Sequence, residues 1–266
     1  MTTTSTTAGS AGRHGDIWGA RAQDWAANEE RQSRTYEEAI RRVGVEPGQR
    51  VLDIGCGSGV FLRQAGDRGA HLSGLDAAEP LLEIARERVP EADLRAGDMQ
   101  FLPYEDDSFD LVTGFNSFFF AADMVAALRE ARRVAKPGAP VVIQVWGDPE
   151  RCDLTALKHA LAQFMPPPEP DAPKPPALWK PGVLEQIARE AGLTPESSFD
   201  LSYAFEYPDE ETLGRLMLAP GLVVEVSRRA GEDAVRTAVV DALAPYRTPN
   251  GGYELENEWH YLVARA

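Results

Sequence analysis

Val51-Leu-Asp53-Ile-Gly55-Cys-Gly57-Ser-Gly59 is the stretch on which the fold turns. A short apolar run from Arg50 to Ile54 ends in glycines at alternate positions, and a helical stretch from Val60 to Asp67 follows. Glycines between a strand and a helix let the polar backbone of a ligand lie against the main chain with no side chain in the way. Two phosphate-binding readings fail on the residues themselves. A P-loop needs Lys and then Ser or Thr after its glycines, and neither is present. A dinucleotide fingerprint needs a third glycine where Val60 stands. What remains is D-x-G-x-G-x-G, with an acid inside the turn.

Working outward, short apolar strands alternate with amphipathic helices. His71 to Asp76 reads as a strand. Pro80 suits the first turn of a helix that runs from Leu81 to Val89 and stops before Pro90. Ala92 to Ala96 and Phe109 to Phe115 read as strands, Asp123 to Val134 as a helix, and Ala139 to Trp146 as a buried strand. This alternation predicts right-handed βαβ units and a doubly wound α/β fold, its parallel sheet covered on both faces. Residues 45–147 are the expected α/β core. Before it lie a disordered polar tail, residues 1–12, and a helical cap, residues 13–44, with one helix from Ile17 to Val43. Residues 148–182 hold a helix from Leu154 to Phe164 and then eight prolines between Pro166 and Pro181, which suits a stiff linker or a lid. Residues 183–266 read as helices at Val183 to Ala191, Glu210 to Leu218 and Asp233 to Leu243. They also contain strands at Phe199 to Tyr207 and Glu258 to Ala264.

Three acids define the expected ligand. Asp53 repels pyrophosphate but suits a cationic amino group. Asp76 stands 23 residues on, at the end of the next strand, where doubly wound nucleotide folds bond ribose hydroxyls. Asp98, in Ala96-Gly-Asp98-Met99, follows the third strand and is placed to accept from an exocyclic amine such as that of adenine. Any one of them suits a turn or a helix cap, but three after successive strands form a pattern. Amino acid, ribose and adenine without phosphate describe S-adenosylmethionine.

The chain resembles the class I S-adenosylmethionine-dependent methyltransferases, small-molecule type, related to the ubiquinone-biosynthesis enzymes. The resemblance rests on an ordered series over residues 45–147. After the glycine motif come Leu75-Asp76 with Leu81-Leu82, Gly97-Asp98-Met99 with Leu102-Pro103, and Ser108-Phe109-Asp110-Leu-Val. Leu128-Arg-Glu-Ala-Arg-Arg-Val-Ala-Lys-Pro-Gly138 closes it. It implies a seven-stranded, mostly parallel sheet with N-terminal helices and a C-terminal lid or substrate region. It also implies that Gly55, Gly57 and Gly59, with Cys56 as a small filler, approach the methionine moiety, while Asp53 sits beneath its ammonium. Asp76 would bind both ribose hydroxyls, Leu81 would lie against the adenine ring, Asp98 would accept from its amino group and Met99 would offer a backbone N–H, with Ala77 also at the cofactor. Phe115 and Asn116 would meet the methionine end.

The acceptor side is thinner. Trp18 and Trp25, seven apart, would share one helix face, and Phe118 and Phe120 follow the Asn116 corner. With His159 they suggest an aromatic-lined pocket for a small apolar acceptor. Tyr203, Phe205 and Tyr207 read as core with an option to wall the same pocket. His14 and His159 are the candidate bases; His71 and His260 read as structural. Composition closes other classes. In 266 residues there are 27 Lys and Arg against 42 Asp and Glu, a net charge of −15, so nucleic acid and anionic membranes are poor partners. Leu111 to Leu128 is interrupted by Thr113, Asn116, Ser117 and Asp123 and so is no membrane span. Residues 1–12 lack the apolar core of a secretory signal. Cys56 and Cys152 have no metal-ligand spacing and fit a reducing cytoplasm, so no metal is expected. The expectation is a cytoplasmic enzyme of specialised metabolism, monomer or homodimer, that moves a methyl group to O, C or N of a small molecule and yields S-adenosylhomocysteine. The alternative is a cofactor-binding protein of the same fold that senses or rearranges without methyl transfer.

Overall fold

The computed structural model describes residues 11–167 and 174–266. The parallel strands are β1 (Arg50–Ile54), β2 (His71–Asp76), β3 (Asp93–Ala96), β4 (Leu111–Phe115) and β5 (Pro140–Trp146). Two long strands, β6 (Thr194–Tyr207) and β7 (Tyr253–Arg265), complete a seven-stranded sheet in the order β3-β2-β1-β4-β5-β7-β6. β7 runs antiparallel to both its neighbours. The fold is the doubly wound, mostly parallel sheet that the alternation predicts.

Period-2 alternation assigns each strand residue to a face. Val51, Leu111, Phe115, Val142, Trp259 and Tyr261 enter one buried layer; Leu52, Ile54, Val112, Ile143 and Leu262 enter the other. The first layer is covered by α3 (Ser33–Val43), α4 (Val60–Gly66), α7 (Thr155–Ala162), α9 (Glu210–Leu216) and α11 (Glu232–Leu243). The second is covered by α6 (Met124–Val134) and α8 (Val183–Glu190), through Ala127, Leu128, Leu184 and Ala188. Among the described residues no helix is long and apolar enough to cross a membrane.

Four expectations need correction. The single helix from Ile17 to Val43 is three: α1 (Ala11–Gly19), α2 (Ala22–Glu29) and α3, with a 3-10 turn at Glu30–Gln32 before the third. Gly19 is a poor helix former, and it ends α1 where the chain lies against Pro80 of α5 (Glu79–Arg88). β6 and β7 begin five residues earlier than the expected Phe199 and Glu258, because the two pair with each other from Thr194–Arg265 to Tyr207–Tyr253. Phe109 makes an isolated bridge to Ala135 and lies outside β4. The helix α10 (Gly221–Ala230) has no counterpart in the sequence reading. Of the expected tail, residues 1–10 lie outside the described residues, as do residues 168–173 of the proline-rich stretch.

Side-chain hydroxyls seat the N-terminal helices on the sheet. Tyr261 of β7 donates to the Thr35 carbonyl at 2.9 Å and accepts from Gln144 at 2.6 Å, and Tyr207 of β6 donates to Asn28 Oδ1 at 2.9 Å. All three contacts are buried, where an unpaired partner costs most. The result places α1 and α2 across the carboxyl ends of the parallel strands. Strand order reverses there between β1 and β4, the usual crevice for a ligand in such sheets.

Candidate active site

A cavity of about 420 Å³ opens over these strand ends. Its floor is the glycine loop. Gly55 has φ +77°, and a Cβ there would sit 2.4 Å from the Ser117 Cβ, so no other residue fits. The Ser117 hydroxyl donates to the Ile54 carbonyl at 2.6 Å in a buried contact, pinning the loop to the end of β4. Ser117→Ala is expected to lower stability by about 1–2 kcal/mol in urea unfolding, the cost of a buried carbonyl losing its donor.

Gly57 has φ +54°, and the space a side chain would take there is held by the Glu29 carboxylate, 2.9 Å away. Glu29 accepts from the Ser58 backbone N–H at 2.9 Å and the Ser58 hydroxyl at 2.6 Å. Burial pushes this acid up to about 7, against those hydrogen bonds and the Arg88 charge. Asp76 ends β2 with both oxygens engaged: Oδ2 accepts from Gly57 N at 2.9 Å and Oδ1 from Ala78 N at 2.8 Å. Burial raises it too, offset by the backbone donors. Asp53 lies beneath the loop and off the cavity lining, 2% exposed. It accepts from the Thr113 hydroxyl at 2.7 Å. Burial first, then the Glu29 and Asp76 charges, drive it up to about 8 despite Thr113. Three acids therefore crowd one loop, and of them only Glu29 has a cation, Arg88, acting on it.

Other expected residues divide plainly. Ala77, Leu81, Asp98, Met99, Phe115 and Asn116 line the cavity, as do Trp18, Trp25, Phe120 and His14. The two tryptophans stand on different helices, yet their rings meet edge-on at 4.6 Å. Cys56 is buried and has its thiol pushed up by burial, which suits a filler and not a nucleophile. Gly59 starts α4 and packs against Ala85. Phe118 lies in the core, against Gly114 of β4, and Phe119 takes its place in the lining. His159 is exposed on α7 and turns away; Leu157 and Lys158 face the cavity instead. His159 thus leaves the list of candidate bases, because the helical phase of α7 points its neighbours inward.

The structure also adds residues that no sequence pattern marked. Glu29, Gln32 and Tyr36 enter from α2 to α3, while Trp146, Leu157, Met217 and Val223 join the anticipated Phe205 in an apolar wall. Glu29 meets Ser58 across 29 residues, so no local spacing could reveal it. Phe205 lines the cavity, whereas Tyr207 is tied to Asn28 and Tyr203 stacks under Arg34. Three buried polar atoms around this cavity have no partner: His14 Nδ1, Asp98 Oδ2 and Asn116 Oδ1.

The family model for the methyltransferase domain matches residues 52–143. This likeness runs from β1 to β5. Demethylmenaquinone methyltransferase of Renibacterium salmoninarum is 37% identical over 110 residues, 41% of this chain and 46% of that protein. Malonyl-[acyl-carrier protein] O-methyltransferase of Serratia marcescens is 34% identical over 96 residues, 36% of this chain and 38% of that protein. The chain thus spans about half the length, or less, of these curated relatives. A methyltransferase from the complex with the Haloferax volcanii Trm112 methyltransferase activator superposes with a TM-score of 0.61 at 25% identity. The match covers 94% of this chain and 96% of that one.

Methyltransferases of this class depend on S-adenosylmethionine, and the cavity fits it. The glycine cradle leaves room for an amino-acid backbone, and the buried acids lack the cations that a sulfonium and an ammonium would bring. The orphaned acceptors stand where donors are missing.

Proposed function

We propose that this chain transfers the methyl group of S-adenosylmethionine to a small, apolar organic acceptor. The observation that carries the reading is one continuous cavity. It joins the glycine loop, Asp76 and Asp98 to a wall of Trp146, Leu157, Phe205, Met217 and Val223. Asp76 would hold the ribose hydroxyls, Asp98 and the Met99 N–H the adenine edge, and Leu81 its face. Gly55 and Gly57 would lie along the methionine backbone, with Asn116 at the same end and Asp53 beneath. When bound, the cofactor supplies an electrophilic methyl group on a positively charged sulfur.

The chain's own contribution is alignment and exclusion of water. Trp18, Trp25 and Phe120 pack together over the opening, with Trp18 and Phe120 edge-on at 5.4 Å. The wall from β5, α7, β6 and α10 presents no Asp, Glu or His to the cavity. An acceptor seated against it is served best when its nucleophile needs no protein base, as with an amine, an acidic phenol or a stabilised carbanion. The two buried thiols, Cys56 and Cys152, are both free, which suits a reducing cytoplasm.

The test has two steps. Calorimetry with S-adenosylhomocysteine should show one site per chain. Turnover with a panel of apolar aromatic acceptors should then release S-adenosylhomocysteine. Binding without release from any acceptor would favour a sensor or a rearrangement catalyst, and no binding at all would remove the whole reading.

A further inference from the structure

We propose that His14 is an adenine-recognition residue, its Nδ1 accepting one hydrogen of the exocyclic amine while Asp98 Oδ2 accepts the other. The proposal rests on the cofactor reading above and moves His14 from catalysis to specificity.

The argument begins with helix packing. Gly15 and Gly19 lie one turn apart on α1, on the face that meets the start of α5. A Cβ at Gly15 would sit 2.3 Å from the Ala77 carbonyl, and one at Gly19 would sit 3.0 Å from the Pro80 ring. Only a bare helix face comes this close, so α1 rests directly on the turn that follows Asp76. Ion pairs from Arg13 to Glu225 and from Asp16 to Arg228 hold the opposite side of α1 to α10. His14, next to Gly15, is thereby fixed beside the turn after β2, near enough to Asp98 to feel its charge.

The orientation of the ring follows from its surroundings. The Phe120 backbone carbonyl lies near enough to His14 to favour its protonated form slightly, against burial. Its Nδ1 is buried and without a partner, and in the neutral ring with hydrogen on Nε2 it is a bare acceptor. The ring lies against Phe120 with centroids 5.2 Å apart, which locks its plane. Burial, together with Arg13, lowers its proton affinity and keeps it neutral. Asp98 shows the same pattern. Its Oδ1 is used by the Gln100 N–H at 2.9 Å, and Oδ2 is buried and unpaired. Two orphaned acceptors, on residues close enough to interact electrostatically, line one cavity. An adenine amine has two hydrogens and no competing acceptor, so it satisfies both; an oxo group in its place satisfies neither.

Calorimetry of the full chain with S-adenosylhomocysteine and with its deaminated analogue S-inosylhomocysteine tests this. His14→Ala is expected to weaken S-adenosylhomocysteine about tenfold and to change S-inosylhomocysteine by less than about twofold, one acceptor bond being worth roughly a decade in affinity. His14→Asn, whose Oδ1 reaches the place of Nδ1, should recover most of the loss, and His14→Phe, which keeps the packing on Phe120, should not. Equal losses for both ligands, or recovery by Phe, would reduce His14 to a packing residue and overturn the proposal. An unchanged affinity in His14→Ala would overturn it as well. Wild-type protein that binds neither ligand would instead defeat the cofactor reading beneath it.

Discussion

Asp76→Ala is expected to weaken S-adenosylhomocysteine binding by about 2–4 kcal/mol, roughly thirty- to a thousand-fold in Kd, with the folded state retained. Two losses combine. The first is the charged acceptor for the ribose hydroxyls, where each bond to a charged group contributes about 1.5–3 kcal/mol. The second is internal: Asp76 holds the Gly57 and Ala78 N–H groups, so its removal frees the glycine loop and the first turn of α5. Asp76→Asn separates the two, because the amide keeps one acceptor while its NH₂ opposes one of those backbone donors. It should fall between wild type and alanine. Calorimetry with circular dichroism on each variant reads both quantities. A folded Asp76→Ala protein with wild-type affinity would falsify the ribose assignment.

Asp53→Asn should act in the opposite sense on stability. In the folded chain burial lifts this acid from its usual 3.8 to about 8. The folded state therefore holds a proton that the unfolded state releases as pH rises. The contribution to stability is complete below about pH 4 and is lost progressively up to about pH 8. At pH 8 the neutral amide escapes that loss, and the ligand-free variant should be more stable by on the order of 2–4 kcal/mol. Thr113 can still donate to the amide oxygen, so the packing is kept. Thermal melts from pH 5 to pH 9 should fall steeply for wild type and less for the variant. A residual slope from Glu29, lifted to about 7, remains in the variant. Parallel curves would mean that Asp53 is ionised in the folded state. The expected cost is functional: a permanently neutral group beneath the loop cannot answer an arriving cation, so affinity for S-adenosylmethionine should drop by about tenfold.

These two residues show how far local sequence reaches. Asp53, Asp76 and Asp98 were legible because each stands at or just past the end of a strand of recognisable period, and a parallel sheet gathers its strand ends on one edge. What surrounds them was not legible. Asp53 was expected to be an anion, yet burial first and then the Glu29 and Asp76 charges push it up to about 8, and a strand pattern encodes neither depth nor those neighbours. His159 and Phe118 carried the right chemistry but point away from the cavity, one to solvent and one to the core. Helical phase and packing, more than residue type, set those directions.

Residues 45–147 specify their own architecture, since alternating apolar periods, glycines at turns and prolines at helix starts act over a few residues at a time. The docking of α1 on Ala77, the reach of Glu29 to Ser58, the tyrosine ties from β6 and β7 and the apolar wall belong to the folded chain alone. Each joins residues tens to hundreds of positions apart, and such contacts gain their energy only after the sheet has brought the partners within bonding distance.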